Sequence, residues 1–186
     1  KGKLAVIVFK ERFGYTEWNQ VIHNRETPRA MTGHSVVSPS FEDAYVVLQD
    51  VGDVVSATAP GLRLQLVDHV TGAFLKRKGG RLPQWVIRGT GLSLAAQADS
   101  GNEHIAGMRA AAIDSLQGLT KPEDLFADGT FSPAQIGAVG YTLVAFMTKA
   151  GGNNRFVRFV GNLQKGTGVA ASIKAVYAPT DLKRLA

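Results

Sequence analysis

The sequence predicts an α+β domain with a short, twisted, mixed sheet on its N-terminal side and a mainly helical C-terminal lobe. Short β-branched apolar runs occur only in the first 50 residues, and segments with helical periodicity fill the rest. Strands followed by helices are typical of the α+β class. We treat residues 1–186 as one domain with a sheet-containing lobe over about 1–98 and a helical lobe over about 99–186. We also expect this domain to be part of a longer polypeptide.

The composition excludes several classes of protein. The chain has no cysteine, which rules out disulfide frameworks, thiol catalysis and Cys-ligated metals. An apolar fraction of 45% is too high for intrinsic disorder, and no apolar run approaches the ~20 residues of a membrane span. The net charge of +6 is not gathered into a large patch. The densest basic run, residues 76–78 with Arg81, indicates a solvated helix end, so we expect no nucleic-acid partner.

The N-terminal part contains three predicted strands and one predicted helix. Residues 3–9 are apolar on both faces, which is typical of a buried strand. Thr16 is suited to begin a helix over 17–25. A short strand is expected at 35–37, and a clearer one follows at 44–48.

Helical patterns dominate the remaining sequence. They cover 62–77, 84–97, 103–117, 133–150, 153–164 and 168–177, with a last turn over 181–185. Gly89 and Gly91 interrupt the second of these patterns. Ser132 precedes Pro133, an order that favours a helix start at this point. Gly151 and its glycine neighbour separate the fourth pattern from the fifth.

Two consecutive predicted helices carry a resemblance to a known family. The first contains Asp68-His69-Val70-Thr71-Gly72, and the second begins with Leu82-Pro83-Gln84-Trp85-Val86-Ile87-Arg88-Gly89. This order resembles the gluzincins, zinc peptidases of the peptidase MA group. In that family one helix carries His-Glu-x-x-His, and a later helix supplies a carboxylate from a Trp-x-x-Glu-Gly-like motif. Two histidines four residues apart share one helix face and bind one zinc ion. The glutamate between them activates the zinc-bound water.

Every position at which this family holds or uses zinc is replaced here. The first histidine ligand corresponds to Asp68, and the general base corresponds to His69. The second histidine corresponds to Gly72, which has no side chain, and the carboxylate ligand corresponds to Arg88, a permanent cation. We therefore predict no metal, no cofactor and no catalytic residue at these vestigial positions. We expect Asp68 and Arg88 to form an ion pair in the room left by Gly72.

The resemblance implies a non-catalytic pseudo-peptidase with a binding or scaffolding role. It places the sheet against the helix of Asp68, and it implies an exported bacterial protein, periplasmic or secreted. An extended peptide or protein partner is expected in the former substrate groove, joined to an edge strand by strand addition. The strand assigned to this edge comprises Ala44, Tyr45, Val46, Val47 and Leu48. Other domains of a longer chain are the second expected class of partner.

Two other functions stay open at this point. One is a hydrolase with a relocated active site built on His69 and Asp68, although adjacent helical residues point about 100° apart. The other is a purely structural domain. The histidines are His23, His34, His69 and His104, and no two have a local metal-ligand spacing such as i, i+4. For these histidines we expect surface or hydrogen-bonded roles.

Overall fold

The computed structural model describes residues 2–29, 31–38, 40, 42–53, 60–78 and 82–177, so the predicted last turn lies outside the described residues. The strands are β1 (Leu4–Phe9), β2 (Gly33–Val37) and β3 (Ala44–Gln49). The helices are α1 (Arg12–His23), α2 (Leu62–Arg77), α3 (Gln84–Ala98), α4 (Glu103–Leu116), α5 (Ile136–Gln164) and α6 (Val169–Tyr177), with a short 3₁₀ helix at Pro122–Phe126. The predicted α+β class, with a small mixed sheet followed by helices, is confirmed.

The sheet has the spatial order β1-β3-β2, so β3 is its central strand. β3 runs parallel to β1 and antiparallel to β2. The prediction that Ala44, Tyr45, Val46, Val47 and Leu48 form an edge strand is therefore wrong, because β3 is hydrogen bonded on both sides. Val46, Val47 and Leu48 of this central strand are all fully buried. The prediction that residues 3–9 form a buried strand is also wrong, because β1 lies at an edge and Val6 and Val8 are about half exposed.

Helices α1 and α2 cover opposite faces of the sheet. Ala44, Val46 and Leu48 form an apolar cluster with Ala73 of α2. On the other face, Tyr45 stacks on the His23 ring of α1. Helix α1 begins at Arg12, earlier than predicted. The Thr16 hydroxyl is not a cap, because it donates back to the carbonyls of residues 12 and 13 within the helix.

Arg12 fixes the chain that leads into β2. Its guanidinium donates to the carbonyl oxygens of Thr27, Pro28 and Met31 and to the side-chain oxygen of Gln49. One arginine thus satisfies three backbone acceptors that no strand or helix would satisfy. β2, one of the two edge strands of the sheet, is positioned by this contact as well as by its pairing with β3.

The larger apolar core lies among the helices. Helix α3 is continuous, and Gly89 does not interrupt it but lets it approach α5, since a Cβ at this position would lie 2.2 Å from the carbonyl oxygen of Gly140. Helix α5 starts at Ile136, after Ser132, and is broken at Gly152, where φ is 74°. The predicted separation of two helices at this glycine is thus retained as a kink. Among the described residues, we find no helix with the length and apolar character needed to cross a membrane.

Candidate functional site

The Asp68 carboxylate and the Arg88 guanidinium form an ion pair between α2 and α3. Arg88 Nη1 lies 2.6 Å from Asp68 Oδ2. The Asp68 side chain is 4% exposed, whereas that of Arg88 is 35% exposed and reaches solvent. The ion pair predicted from the sequence is therefore confirmed. Its two members stand at the positions that the resemblance assigns to two zinc ligands.

Glycines shape the space around this pair. A Cβ at Gly91 would lie 2.4 Å from Asp68 Oδ1, so a residue without a side chain is needed where α3 passes the carboxylate. The room beside Gly72 is not used by Arg88. It is filled by Ile87 Cγ2 and Ser35 Oγ, which lie 3.2 and 3.6 Å from where a Cβ would stand. The sequence thus predicts the pair correctly but assigns the wrong glycine to its accommodation.

Lys76 joins the same site from the last turn of α2. Its Nζ donates to the carbonyl oxygen of Ser35 at 3.3 Å and lies 3.2 Å from the Ser35 hydroxyl. The prediction of a solvated helix end is wrong for Lys76, which is half-buried. Asp68, Gly72 and Lys76 follow at i, i+4 and i+8, so helical spacing places them on one face. The spacing therefore indicates that Lys76 lies on the same helix face as Asp68. Its contact with Ser35 also depends on the position of β2 in the sheet.

Burial controls the ionisation of this site. It raises the pKa of Asp68 to about 6, even though Arg88 and Lys76 favour the carboxylate. Burial also lowers the pKa of His69 to about 3, and the neighbouring Arg88 and His34 act in the same direction. The pKa of Lys76 is lowered by burial and by Arg88, while Asp68 raises it. At neutral pH the site therefore holds an ionised carboxylate beside Arg88 and a neutral imidazole.

Two histidine–tyrosine contacts lie on the α1 face of the sheet. The Tyr15 hydroxyl is 3.0 Å from His34 Nδ1, and the Tyr45 hydroxyl is 2.9 Å from His23 Nε2. The His23 and His34 rings meet edge to face, with 5.4 Å between their centroids. Burial lowers the pKa of His34 to about 4. Sequence spacing does not connect these residues, because only the pairing of β2 with β3 brings them together.

The outer side of β2 presents unpaired backbone groups. The Gln49 amide donates to the Thr32 carbonyl and the Ser38 amide donates to the Asp43 carbonyl. Hydrogen-bonded pairs alternate in an antiparallel ladder, so the N–H and C=O groups of Gly33, Ser35 and Val37 point away from β3. Within the described ranges, their only hydrogen-bonding partner is Lys76 at the Ser35 carbonyl. This edge lies beside α2, because a Cβ at Gly33 would stand 2.7 Å from His69 Nε2.

The residues at the vestigial positions do not fit a zinc ion. Gly72 offers no donor atom, and Arg88 places a cation against the one carboxylate. Across the part of the chain that the structure describes, no group of three or more His, Asp or Glu side chains is arranged to hold a metal ion. Two cavities among the described residues lie away from these positions. One of 220 Å³ is lined by residues such as Leu64 and Asn102, and one of 430 Å³ by residues such as Tyr141.

Comparison with known protein families, curated proteins and solved structures gives no match for this chain.

Proposed function

We propose that this chain is a non-catalytic module descended from a zinc peptidase, and that it binds an extended peptide along the outer edge of β2. The observation that carries this proposal is the Asp68–Arg88 ion pair, which stands where the resemblance expects metal ligands. A guanidinium held by the Asp68 carboxylate stands where a metal cation would bind, and its permanent positive charge repels a second cation. An exported bacterial location is proposed on the resemblance alone.

The free edge of β2 supports peptide binding by strand addition. Outward N–H and C=O groups at alternate residues are the surface to which an added strand bonds. Helix α2 runs along the same strand, since His69 contacts Gly33 and Lys76 contacts Ser35. A peptide at this edge would therefore lie beside the vestigial positions, as a substrate would in a peptidase. The strand proposed to bind the peptide is therefore β2 and not β3, because β3 is hydrogen bonded on both sides.

Loss of catalysis is supported by the state of the two candidate catalytic groups. A general base works best when its pKa lies near the working pH. The pKa of His69 is lowered to about 3, which makes it a weak base at neutral pH. The Asp68 carboxylate is bound by Arg88. These features favour a binding role over a hydrolase built on this pair of residues.

Proline substitution tests strand addition directly. The Val37 amide points outward from β2, so Val37→Pro removes one edge donor without removing a bond to β3. The probe is an array of random heptapeptides tethered by their N-termini. We expect Val37→Pro to weaken binding at least about tenfold, which is about 1.4 kcal/mol. Val8→Pro is the matched control, because parallel pairing directs the Val8 amide to the other free edge, on β1.

The outcomes separate the three functions. Binding that Val37→Pro abolishes and Val8→Pro preserves supports the proposal, provided that circular dichroism shows both variants folded. Absence of binding to the whole array contradicts it and favours a purely structural domain. Turnover of a fluorogenic peptide pool that is lost in His69→Gln contradicts it in favour of the relocated hydrolase.

A further inference from the structure

The vestigial site contains more positive than negative charge. Arg88 and Lys76 are both cations, and Asp68 is the carboxylate that acts on Lys76. The Asp68 carboxylate is already bound by Arg88. Arg88 and Lys76 both disfavour a positive charge on His69 beside it. His34, whose pKa is lowered to about 4, is neutral near pH 7. One cationic charge of the site is therefore not balanced by a carboxylate among these residues.

Both cations have donors to spare. A guanidinium has five N–H donors, and Asp68 is its sole ion-pair partner among the residues the structure covers. The Arg88 side chain is 35% exposed, and its bond to Asp68 is made by Nη1. An ammonium has three N–H donors, and both described contacts of Lys76 are to Ser35. The Lys76 donors therefore lie at the edge along which the proposed peptide runs, and the Arg88 guanidinium is close enough to act on the Lys76 ammonium.

Lys76 also interrupts that edge. The Ser35 carbonyl is the middle outward acceptor of β2, and the Lys76 ammonium occupies it. An added strand must share this carbonyl with the Lys76 ammonium. A strand pairing with one end of β2 therefore meets an ammonium group at the position where its next backbone bond would form. A chain that ends there in a carboxylate replaces that backbone bond with a charge-assisted one.

Resting on the proposed function, we infer that the edge of β2 selects peptides that place a carboxylate against Lys76 and Arg88. The carboxylate is the free C-terminus of the peptide or the side chain of an Asp or Glu near that end. Lys76 and Arg88 are binding residues in this assignment, and Asp68 positions Arg88.

Three forms of each peptide test this inference on the whole 186-residue chain. The probes are the strongest heptapeptide from the array as the free acid, the same peptide amidated at its C-terminus, and versions with each Asp or Glu replaced by Asn or Gln. Binding is measured by fluorescence anisotropy. We expect a loss of at least about tenfold in affinity on amidation if the terminus is recognised, or on side-chain neutralisation if Asp or Glu is recognised.

Variants of the protein complete the test. Lys76→Met is expected to weaken the acid peptide at least about tenfold and not to weaken the neutral peptide, since it frees the Ser35 carbonyl. Lys76→Arg keeps the charge and restores binding of the acid peptide. Lys149→Met is the control, because it removes one exposed cation on α5, away from the sheet. Equal binding of acid and neutral peptides overturns the inference. If Val37→Pro still abolishes that binding, the proposed strand addition survives. Absence of all peptide binding overturns both.

Discussion

Arg88 on α3 and Asp68 on α2 lie 2.6 Å apart, with the carboxylate buried and the guanidinium partly in water. The pair joins the helix that lies on the sheet to a helix of the larger apolar core. A buried carboxylate loses hydration, and its partner must compensate for that loss. Removal of one partner is therefore expected to lower the stability of the protein, because it leaves the other charge unpaired.

Removal of one residue of the pair should lower the free energy of unfolding more than removal of both. We expect Arg88→Met to lower the free energy of unfolding by about 2–3 kcal/mol, below the range for fully buried pairs because Arg88 is partly solvated. The double variant Asp68→Leu/Arg88→Met should recover at least half of that loss, since no unpaired charge remains. Urea denaturation of the wild type, both single variants and the double variant gives the coupling energy. A double variant whose loss equals the sum of the single losses would contradict a coupled pair.

The stability of the protein should rise between about pH 4 and pH 6.5. The pKa values of His69 and His34 are lowered to about 3 and about 4 in the folded state, so unfolding takes up protons below the ordinary value near 6.5. Stability increases with pH wherever the unfolded state binds more protons. The raised pKa of Asp68, about 6, acts in the opposite direction between about pH 4 and pH 6. We expect the two histidines together to contribute more to the pH dependence of stability than the one carboxylate does.

Variants isolate each contribution to this pH dependence. His69→Gln and His34→Gln should each reduce the stability difference between pH 4.5 and pH 7, by on the order of 1 kcal/mol. Asp68→Asn should increase it, because the opposing group is removed. Urea denaturation at the two pH values provides the measurement. An unchanged difference in both histidine variants would show that these imidazoles are not held neutral by the fold.

The close approach of α3 and α5 should make two glycines intolerant of any side chain. A Cβ at Gly140 would lie 2.5 Å from the Trp85 carbonyl oxygen, and one at Gly89 would lie 2.2 Å from the Gly140 carbonyl oxygen. We expect Gly89→Ala and Gly140→Ala to destabilise the protein by about 1–3 kcal/mol each. Gly161 lies in open space on α5, so Gly161→Ala should stabilise by up to about 1 kcal/mol through helix propensity. Thermal denaturation of the three variants is the test, and equal effects would contradict this helix packing.

The sequence predicts the bounds of helices better than it predicts contacts between segments that are distant in the chain. The helix over 62–77 has the predicted bounds, because its apolar periodicity is local information. The identity of the edge strand was not predictable in this way, since chain order does not fix strand order in a sheet. The Asp68–Arg88 pair was predicted from the resemblance to gluzincins, which relates two segments distant in the chain. The contacts of Lys76 with Ser35 depend on sheet topology, for which the sequence contains no comparable pattern.

Reversal of the replacements should restore a zinc site if the two helices descend from a peptidase. Positions 68 and 72 are four apart on α2, and the side chain at position 88 reaches the side chain at position 68. The variant is Asp68→His/His69→Glu/Gly72→His/Arg88→Glu, with Ile87→Ala added because Ile87 Cγ2 lies 3.2 Å from a Cβ at position 72. We expect about one zinc per chain in this variant and none in the wild type, as measured by elemental analysis after dialysis.

The control for zinc binding is the same variant with Arg88 retained, which should bind zinc at least about tenfold more weakly because a cation stands at the third ligand position. Circular dichroism establishes that each variant is folded. A folded variant that binds no more zinc than the wild type would contradict the assignment of the vestigial positions. A tightly held zinc in the wild type would also contradict it, because it would require ligands other than Asp68, Gly72 and Arg88. In that case the histidines would be the first residues to replace: His23, His34, His69 and His104.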